Sequence, residues 1–155
     1  MLDDGGALRL ENQLCFRLYS ASKEVVRRYR PYLEPLGLTY TQYLAMMVVW
    51  AEEEIPVKEL GRQLGLESST LTPLLKKLEK AGFITRTRSI EDERVTLITL
   101  TDEGRNLHDR AIEVPSCMTK DLCIDQDIAL ELVRALDAFN EQIEASRCSQ
   151  AGRKE

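Results

Sequence analysis

Cys15 stands in LENQLCFRLY, among leucines and aromatics near the start of the chain. A free thiol is usually a small buried hydrophobe, but as a thiolate it is a nucleophile toward peroxides and disulfides. The other cysteines are Cys117, Cys123 and Cys148, and the one histidine is His108. Their spacing makes neither a Cys-x-x-Cys pair nor a zinc-ligand pattern, so no metal and no cofactor is expected. A cysteine enzyme of the thiol-peroxidase type is one candidate class. It is weakened because His108 lies 93 residues from Cys15 and no second catalytic motif accompanies it.

A second group of residues suits recognition of a polyanion. Ser68, Ser69, Thr70 and Thr72 carry short hydrogen-bonding side chains that can approach base edges and phosphates, and Lys76 and Lys77 follow on the same segment. Arg86, Arg88 and Arg94 come next, with reach to a phosphate backbone or a minor groove. The net charge of −5 conceals this bias. Residues 58 to 94 hold eight cations against six anions, a local +2, while the rest of the chain stands at −7. A mildly basic middle between acidic ends fits a domain whose centre meets nucleic acid.

The elements that must position these residues can be read from periodicity and punctuation. At 155 residues, 43% hydrophobic and 30% charged, the chain has the length for a single domain, residues 1–155, with a real core. From about Leu8 to Arg30, Cys15, Leu18, Tyr19, Ser22, Val25, Val26 and Tyr29 recur at steps of three and four. That is one face of a long amphipathic helix, closed by Pro31 and Pro35. Thr39 and Gln42 form a capping-box pair ahead of YLAMMVVW, so a second helix begins near Tyr40, with Trp50 in the core. A short helix then ends at Gly65, and another runs from the SST segment to Gly82, with Ser68 or Ser69 as its cap and Pro73 in its first turn. FITRTRSIEDERVTLITLT reads as a two-stranded hairpin with an acidic tip. Thr101 can cap a further helix that Pro115 kinks or ends, and a last amphipathic helix spans about Asp125 to Ser146 before a frayed tail. There is no apolar run of about 18 residues and no basic-then-apolar leader, so a cytoplasmic location without a membrane partner is expected.

Two short helices joined by a glycine turn and followed at once by a hairpin make a winged helix-turn-helix. Asp92, Arg94, Leu100 and Thr101 in DERVTLITLT match the wing signature of the MarR-family transcriptional regulators, and LTPLLKKLEKAGFITR looks like that family's recognition helix and first wing strand. The resemblance runs from about residue 8 to residue 145. It implies a mainly α fold with a small β-hairpin wing. The winged helix-turn-helix would occupy 55–101, and the helical parts at 8–38 and 102–148 would interleave into a homodimer. It further implies double-stranded operator DNA as partner, with Arg94 as the wing-tip arginine at the minor groove and Asp92 as its orienting carboxylate.

Within that family, LENQLCFRLYSASKE followed by LTYTQYLAMMVVW resembles the organic-hydroperoxide-sensing, or OhrR, group. In that group a first-helix cysteine is the peroxide sensor and two tyrosines hydrogen-bond to it; Cys15, Tyr29 and Tyr40 match by position. Tyr29 lies 14 residues beyond Cys15, about 21 Å along one helix at roughly 1.5 Å per residue. If Tyr29 serves Cys15, it must therefore belong to a partner subunit. Tyr19, at i+4, is the intrahelical neighbour and could line the same pocket. Phenol hydroxyls donating to sulfur would favour the thiolate, and Leu14, Phe16, Leu18, Met46 and Met47 would suit an alkyl or fatty hydroperoxide. The resulting sulfenic acid would condense with a second thiol. The resemblance implies either a resolving cysteine near the last helix junction, where Cys117 and Cys123 both lie, or a low-molecular-weight thiol. The expected function is a redox-sensing repressor that holds its operator when reduced and releases it when organic hydroperoxide oxidises Cys15. The alternatives are a MarR-type regulator released by a small phenolic ligand with Cys15 inert, and the cysteine peroxidase.

Overall fold

The structure, a computed structural model, describes residues 8–151, with the side chains of 147–151 outside the description; Cys148 is among those. The chain divides into two compact units, Met1–Met118 and Thr119–Glu155. In the first, a 3-10 turn at Leu10–Asn12 leads into α1 (Leu14–Leu33), α2 (Tyr40–Glu52), β1 (Glu54–Pro56), α3 (Val57–Leu64) and α4 (Ser68–Lys80). The strands β2 (Ile84–Arg88) and β3 (Thr96–Leu100) follow, then α5 (Asp102–Ala111). α6 (Val114–Leu122) spans the boundary, and α7 (Gln126–Ala151) lies in the second unit.

Local chemistry fixes most of the element ends. The Thr39 hydroxyl accepts from the Gln42 amide at 3.4 Å while the Gln42 side-chain oxygen accepts from the Thr39 amide at 2.8 Å, so the capping box at α2 is complete. Gly65 and Gly82 close α3 and α4 with φ of +63° and +81°, a region an L side chain enters only under strain. Beyond each glycine the chain turns back: the Leu66 amide donates to the Gly61 carbonyl at 2.9 Å and the Phe83 amide to the Leu78 carbonyl at 3.1 Å. Thr101 caps α5 by accepting from the Gly104 amide at 3.0 Å, and Asp125 accepts from the Asp127 amide at 2.9 Å ahead of α7.

Other sequence expectations are corrected. The first helix starts at Leu14, not near Leu8, and runs through Pro31 to Leu33. Pro31 removes a donor whose helical acceptor would be the carbonyl of the exposed Arg27, where water can substitute. Neither Ser68 nor Ser69 caps α4; Glu67 precedes the helix without a side-chain cap, and Pro73 sits in the second turn instead of the first. Pro115 opens α6 and does not end α5, because the break falls at Ile112 and Glu113. The last helix continues to Ala151. Trp50 is half-buried and not part of the fully buried core. The hairpin gains a third strand: the sheet order is β1-β3-β2, antiparallel throughout, with Ile55 opposite Ile98 and Ile84 opposite Leu100.

The core of the first unit lies between α2, the helix pair and the sheet. Met46 and Val49 from α2, Leu60 from α3, Leu71, Leu75 and Leu78 from α4, and Ile84 and Ile98 from the sheet are all buried. Polar contacts then lock the start of α5 into this assembly. The Trp50 indole N–H donates to the Gly104 carbonyl at 2.9 Å, the Thr101 hydroxyl to the Gly82 carbonyl at 2.6 Å, and the Leu100 amide to the Glu53 carbonyl at 2.8 Å. A Cβ on Gly104 would collide with the Phe83 carbonyl. Between α1 and α2, the Tyr29 ring centroid lies 4.8 Å from Tyr40 and 5.9 Å from Tyr43. Burial, and then the neighbouring Tyr40, raise the Tyr29 pKa above the ordinary phenol value; burial, and then Tyr29 and Tyr40, do the same to Tyr43.

Two outcomes follow from this packing. Gly104→Ala overpacks the junction and should cost about 2 kcal/mol, read as a lower urea midpoint by circular dichroism. Tyr29 and Tyr43 are held neutral by folding, so their contribution to stability is fully present below about pH 10. It is lost as pH rises through the raised values. Denaturant midpoints measured across alkaline pH should fall less steeply in Tyr29→Phe than in wild type.

Candidate functional site

α3 and α4 form a helix-turn-helix because Gly61 lets them close on each other: a Cβ there would meet the Leu66 carbonyl and the Leu71 side chain, each at 3.1 Å. With Leu71, Leu74, Leu75 and Leu78 turned inward, α4 exposes Ser68, Ser69, Thr70, Thr72, Lys76 and Lys77 on its outer surface. The residues selected from sequence on this helix thus share an accessible face.

The wing is shaped by its own side chains. Ser89 accepts from the amides of Glu91 and Asp92 at 3.2 and 3.4 Å, and Arg88 donates to the Glu93 carbonyl at 3.1 Å, so Arg88 braces the tip. Asp92 accepts from the Arg94 amide at 3.0 Å and from its Nε at 3.1 Å. These bonds hold the Asp92 carboxyl below its ordinary pKa, the side-chain bond having the larger effect. With Arg94 Nη2 3.4 Å from the second Asp92 oxygen, they orient the guanidinium of a side chain that is 91% exposed. Arg86 differs: it lies on the same face of the sheet as Ile84, is half-buried, and has Nε 3.4 Å from Glu79 Oε2, an ion pair without hydrogen-bond alignment.

Arg86 and Arg94 line one cleft together with Ser68 and Thr72 of α4 and Lys58 and Arg62 of α3. The sequence reading missed Lys58 and Arg62. A signal was present in the i, i+3 spacing of Glu59 and Arg62, which places the arginine on the solvent face of α3. Glu67 also lines the cleft, so the cations exceed the acids there four to one. A cleft of that balance between a helix N-terminus and a wing can bind phosphates on one strand of a duplex.

The thiol site is open. Cys15 is exposed in the first turn of α1, flanked by exposed Leu14 and Phe16. Tyr19 is also exposed, with Lys23 Nζ 5.3 Å from its ring centroid. Tyr29 and Tyr40 pack on each other instead of on Cys15, as the rise of about 21 Å along α1 requires. Tyr19 and Tyr40 line a common groove with Val26, Lys23 and Arg30. Met46 is fully buried in the core, whereas Met47 is exposed and lines a pocket with Tyr43, Trp50 and His108, not the surroundings expected of a thiol site. Cys117 is a half-buried free thiol on α6. Cys123, beyond α6, is exposed with φ of +46° and donates to the Lys120 carbonyl at 2.9 Å. Among the described residues, no helix is long and apolar enough to cross a membrane.

Comparison with known proteins places this architecture. Residues 27–111 match the family described as the transcriptional regulator SarA/Rot. The chain is 51% identical over 108 residues to an organic hydroperoxide resistance transcriptional regulator of Bacillus subtilis, covering 70% of this chain and 74% of that one. It is 47% identical over 127 residues to the HTH-type transcriptional regulator SarZ of Staphylococcus haemolyticus, covering 82% and 86%. Among solved structures, reduced AbfR bound to DNA, a Staphylococcus epidermidis protein, superposes with a TM-score of 0.75 at 34% identity, covering 91% of this chain and 99% of that one. The wing signature, the helix pair and these matches agree, and the chain belongs to the MarR-type winged-helix transcriptional regulators, in the group of the organic hydroperoxide resistance regulators.

Proposed function

We propose that this protein is a homodimeric, cytoplasmic repressor, and not an enzyme, that holds double-stranded operator DNA while reduced and releases it when an organic hydroperoxide oxidises Cys15. Residues 55–101 read the DNA; 8–38 and 102–148 build the dimer body. The observation that carries the reading is an exposed thiol at the start of α1, with Tyr29 far along the same helix and packed on Tyr40 of α2 instead of on the thiol. Such a site is completed by a second copy whose first helix runs the other way. The relatives support the same conclusion, since the Bacillus subtilis protein is a hydroperoxide resistance regulator and AbfR has been solved reduced, overoxidised and disulfide-formed.

The chemistry begins with the Cys15 thiolate, stabilised by hydrogen bonds from Tyr29 and Tyr40 of the opposing subunit and bordered by Tyr19. Sulfur attacks the terminal oxygen of the hydroperoxide, the O–O bond breaks, and the alkoxide leaves and takes a proton to become the alcohol. Sulfur is oxidised by two electrons to the sulfenic acid. A second thiol, from Cys117, Cys123 or a small cellular thiol, then attacks that sulfur, forming a disulfide and expelling water. Oxidised sulfur at the subunit contact changes the spacing of the two reading heads, and the half-sites are lost.

On the DNA side, the α4 residues Ser68, Ser69, Thr70 and Thr72 approach base edges and phosphates. Lys76, Lys77, Arg86 and Arg88 contact the backbone, and Arg94, held by Asp92, enters the minor groove.

Cys15→Ser should bind operator normally yet stay bound after cumene hydroperoxide is added, in an anisotropy assay where the wild type dissociates. Arg94→Ala should weaken binding about tenfold, a loss of the size of one good minor-groove contact, and lower the salt slope by about one.

A further inference from the structure

Three arginines border the cleft between α3, α4 and the wing, and each is paired with a carboxylate of its own. The three pairs are built differently. Asp92 also accepts from the Arg94 backbone amide, so that carboxylate is part of the turn as well as the partner of an exposed guanidinium. Arg86 is half-buried beneath the sheet, and its contact with Glu79 is an unaligned one at 3.4 Å. Arg62 is gripped at the surface by both oxygens of its partner, as Arg94 is, but more closely than Arg94 (3.1 and 3.4 Å) and, among the described residues, with no backbone amide sharing the carboxylate. Arg62 Nη2 lies 2.6 Å from Glu59 Oε1 and its Nε 2.9 Å from Oε2. Gln63 Nε2 adds a second donor to the same carboxylate at 3.2 Å. Through Arg62 first, and then Gln63, the Glu59 pKa falls to about 2, so the carboxylate is charged at every working pH.

We propose that Glu59 is a brake on DNA binding: it occupies the guanidinium of Arg62, and docking must exchange this carboxylate for a DNA phosphate. This rests on the DNA-binding reading above. The exchange is feasible because the pair is exposed, and exposed pairs contribute little stability even when well aligned. It is also costly to affinity, for a reason that salt dependence reveals. A cation that meets a phosphate releases a condensed counterion from the duplex, which gives log Kobs a slope near −0.9 per contact. When that cation is drawn from Glu59, the freed carboxylate lies beside a polyanion and gathers a cation from solution. One release and one uptake nearly cancel, so the Arg62 contact adds little affinity and little slope while Glu59 is present. A neutral side chain at position 59 removes the uptake and exposes the full contribution of Arg62.

The test is a salt series of anisotropy titrations with the full chain and a labelled duplex of mixed sequence, comparing wild type, Glu59→Gln, Arg62→Ala and the double variant. Salt-dependent binding by the wild type comes first; without it the DNA-binding reading fails, whatever Glu59 does. Given that binding, Glu59→Gln should bind several-fold more tightly at low salt, with a slope steeper by about 0.9, and the gain should vanish in the double variant. Equal or weaker binding by Glu59→Gln overturns the proposal, because Glu59 would then orient Arg62 or be a bystander. A gain that survives Arg62→Ala also overturns it, since only net charge would then matter. Circular dichroism confirms that each variant is folded.

Discussion

The geometry of the reading head depends on the docking of the α5 N-terminus. Within a few residues, Thr101 bonds the Gly82 carbonyl and caps α5, Leu100 bonds the Glu53 carbonyl, and Gly104 accepts from Trp50 while packed on the Phe83 carbonyl. Four segment ends meet there: the end of α2, the turn after α4, the end of β3 and the start of α5. The Thr101 and Leu100 bonds satisfy backbone groups that would otherwise be orphaned at an element terminus, and Gly104 gives the N–H of the half-buried Trp50 indole its acceptor. Because the junction is held by short bonds and by the missing Cβ of Gly104, the sheet cannot slide relative to α2. The wing is the outer end of that sheet, so its tip inherits the orientation. This explains why the wing signature has two halves separated along β3. The Leu100 and Thr101 half anchors the strand at the junction, and the Asp92 and Arg94 half shapes the tip.

A second constraint comes from the length of α1. A helix rises about 1.5 Å per residue, so no folding of this chain alone brings Tyr29 to Cys15 while both remain on it. The same helix leaves Leu14, Phe16, Tyr19 and Val26 exposed. In the second unit α7 leaves Ile128, Leu132, Val133 and Ile143 exposed. Apolar residues at helical spacing on two separate elements are what a single subunit of a homodimer leaves for its partner to cover. In the proposed dimer, burial of the thiol site and burial of the dimer face are one event. On the proposed function, an oxidisable sulfur at that contact would give two-electron chemistry on a single atom direct access to the spacing between subunits.

Much of this was legible in the sequence because backbone rules are local. Thr39 with Gln42, Gly65, Gly82 and Thr101 each announce an element end through a bond or a φ value reaching no further than a few residues. The wing and the helix pair were legible for the same reason. What escaped depends on partners distant in the chain. β1 is three residues long and contains a proline, and it is a strand only because β3 lies beside it. Trp50 is apolar in type, yet its indole N–H is drawn toward Gly104, 54 positions away. Lys58 and Arg62 belong to the cleft because the wing folds over α3, which no periodicity within VKELGRQL reveals. Cys15 could be singled out by residue type and resemblance, whereas its exposure follows from where α1 starts, and Leu14 is six residues later than the apolar pattern suggests.

A net charge of −5 is compatible with a DNA-reading surface because charge acts locally in salt water. At physiological ionic strength the screening length is about 8 Å, so a phosphate in the cleft responds to Lys58, Arg62, Arg86 and Arg94 and is nearly blind to carboxylates farther along the chain. Even there each arginine is paired with an acid. The attraction is therefore short in range and depends on guanidinium groups meeting phosphates in register. Such an interface is sensitive to position: displacing one reading head by a distance comparable with the screening length removes most of its electrostatic contacts at once. A repressor governed by the spacing of two heads needs that sensitivity. A strongly basic surface would keep hold of DNA nonspecifically after the heads had moved.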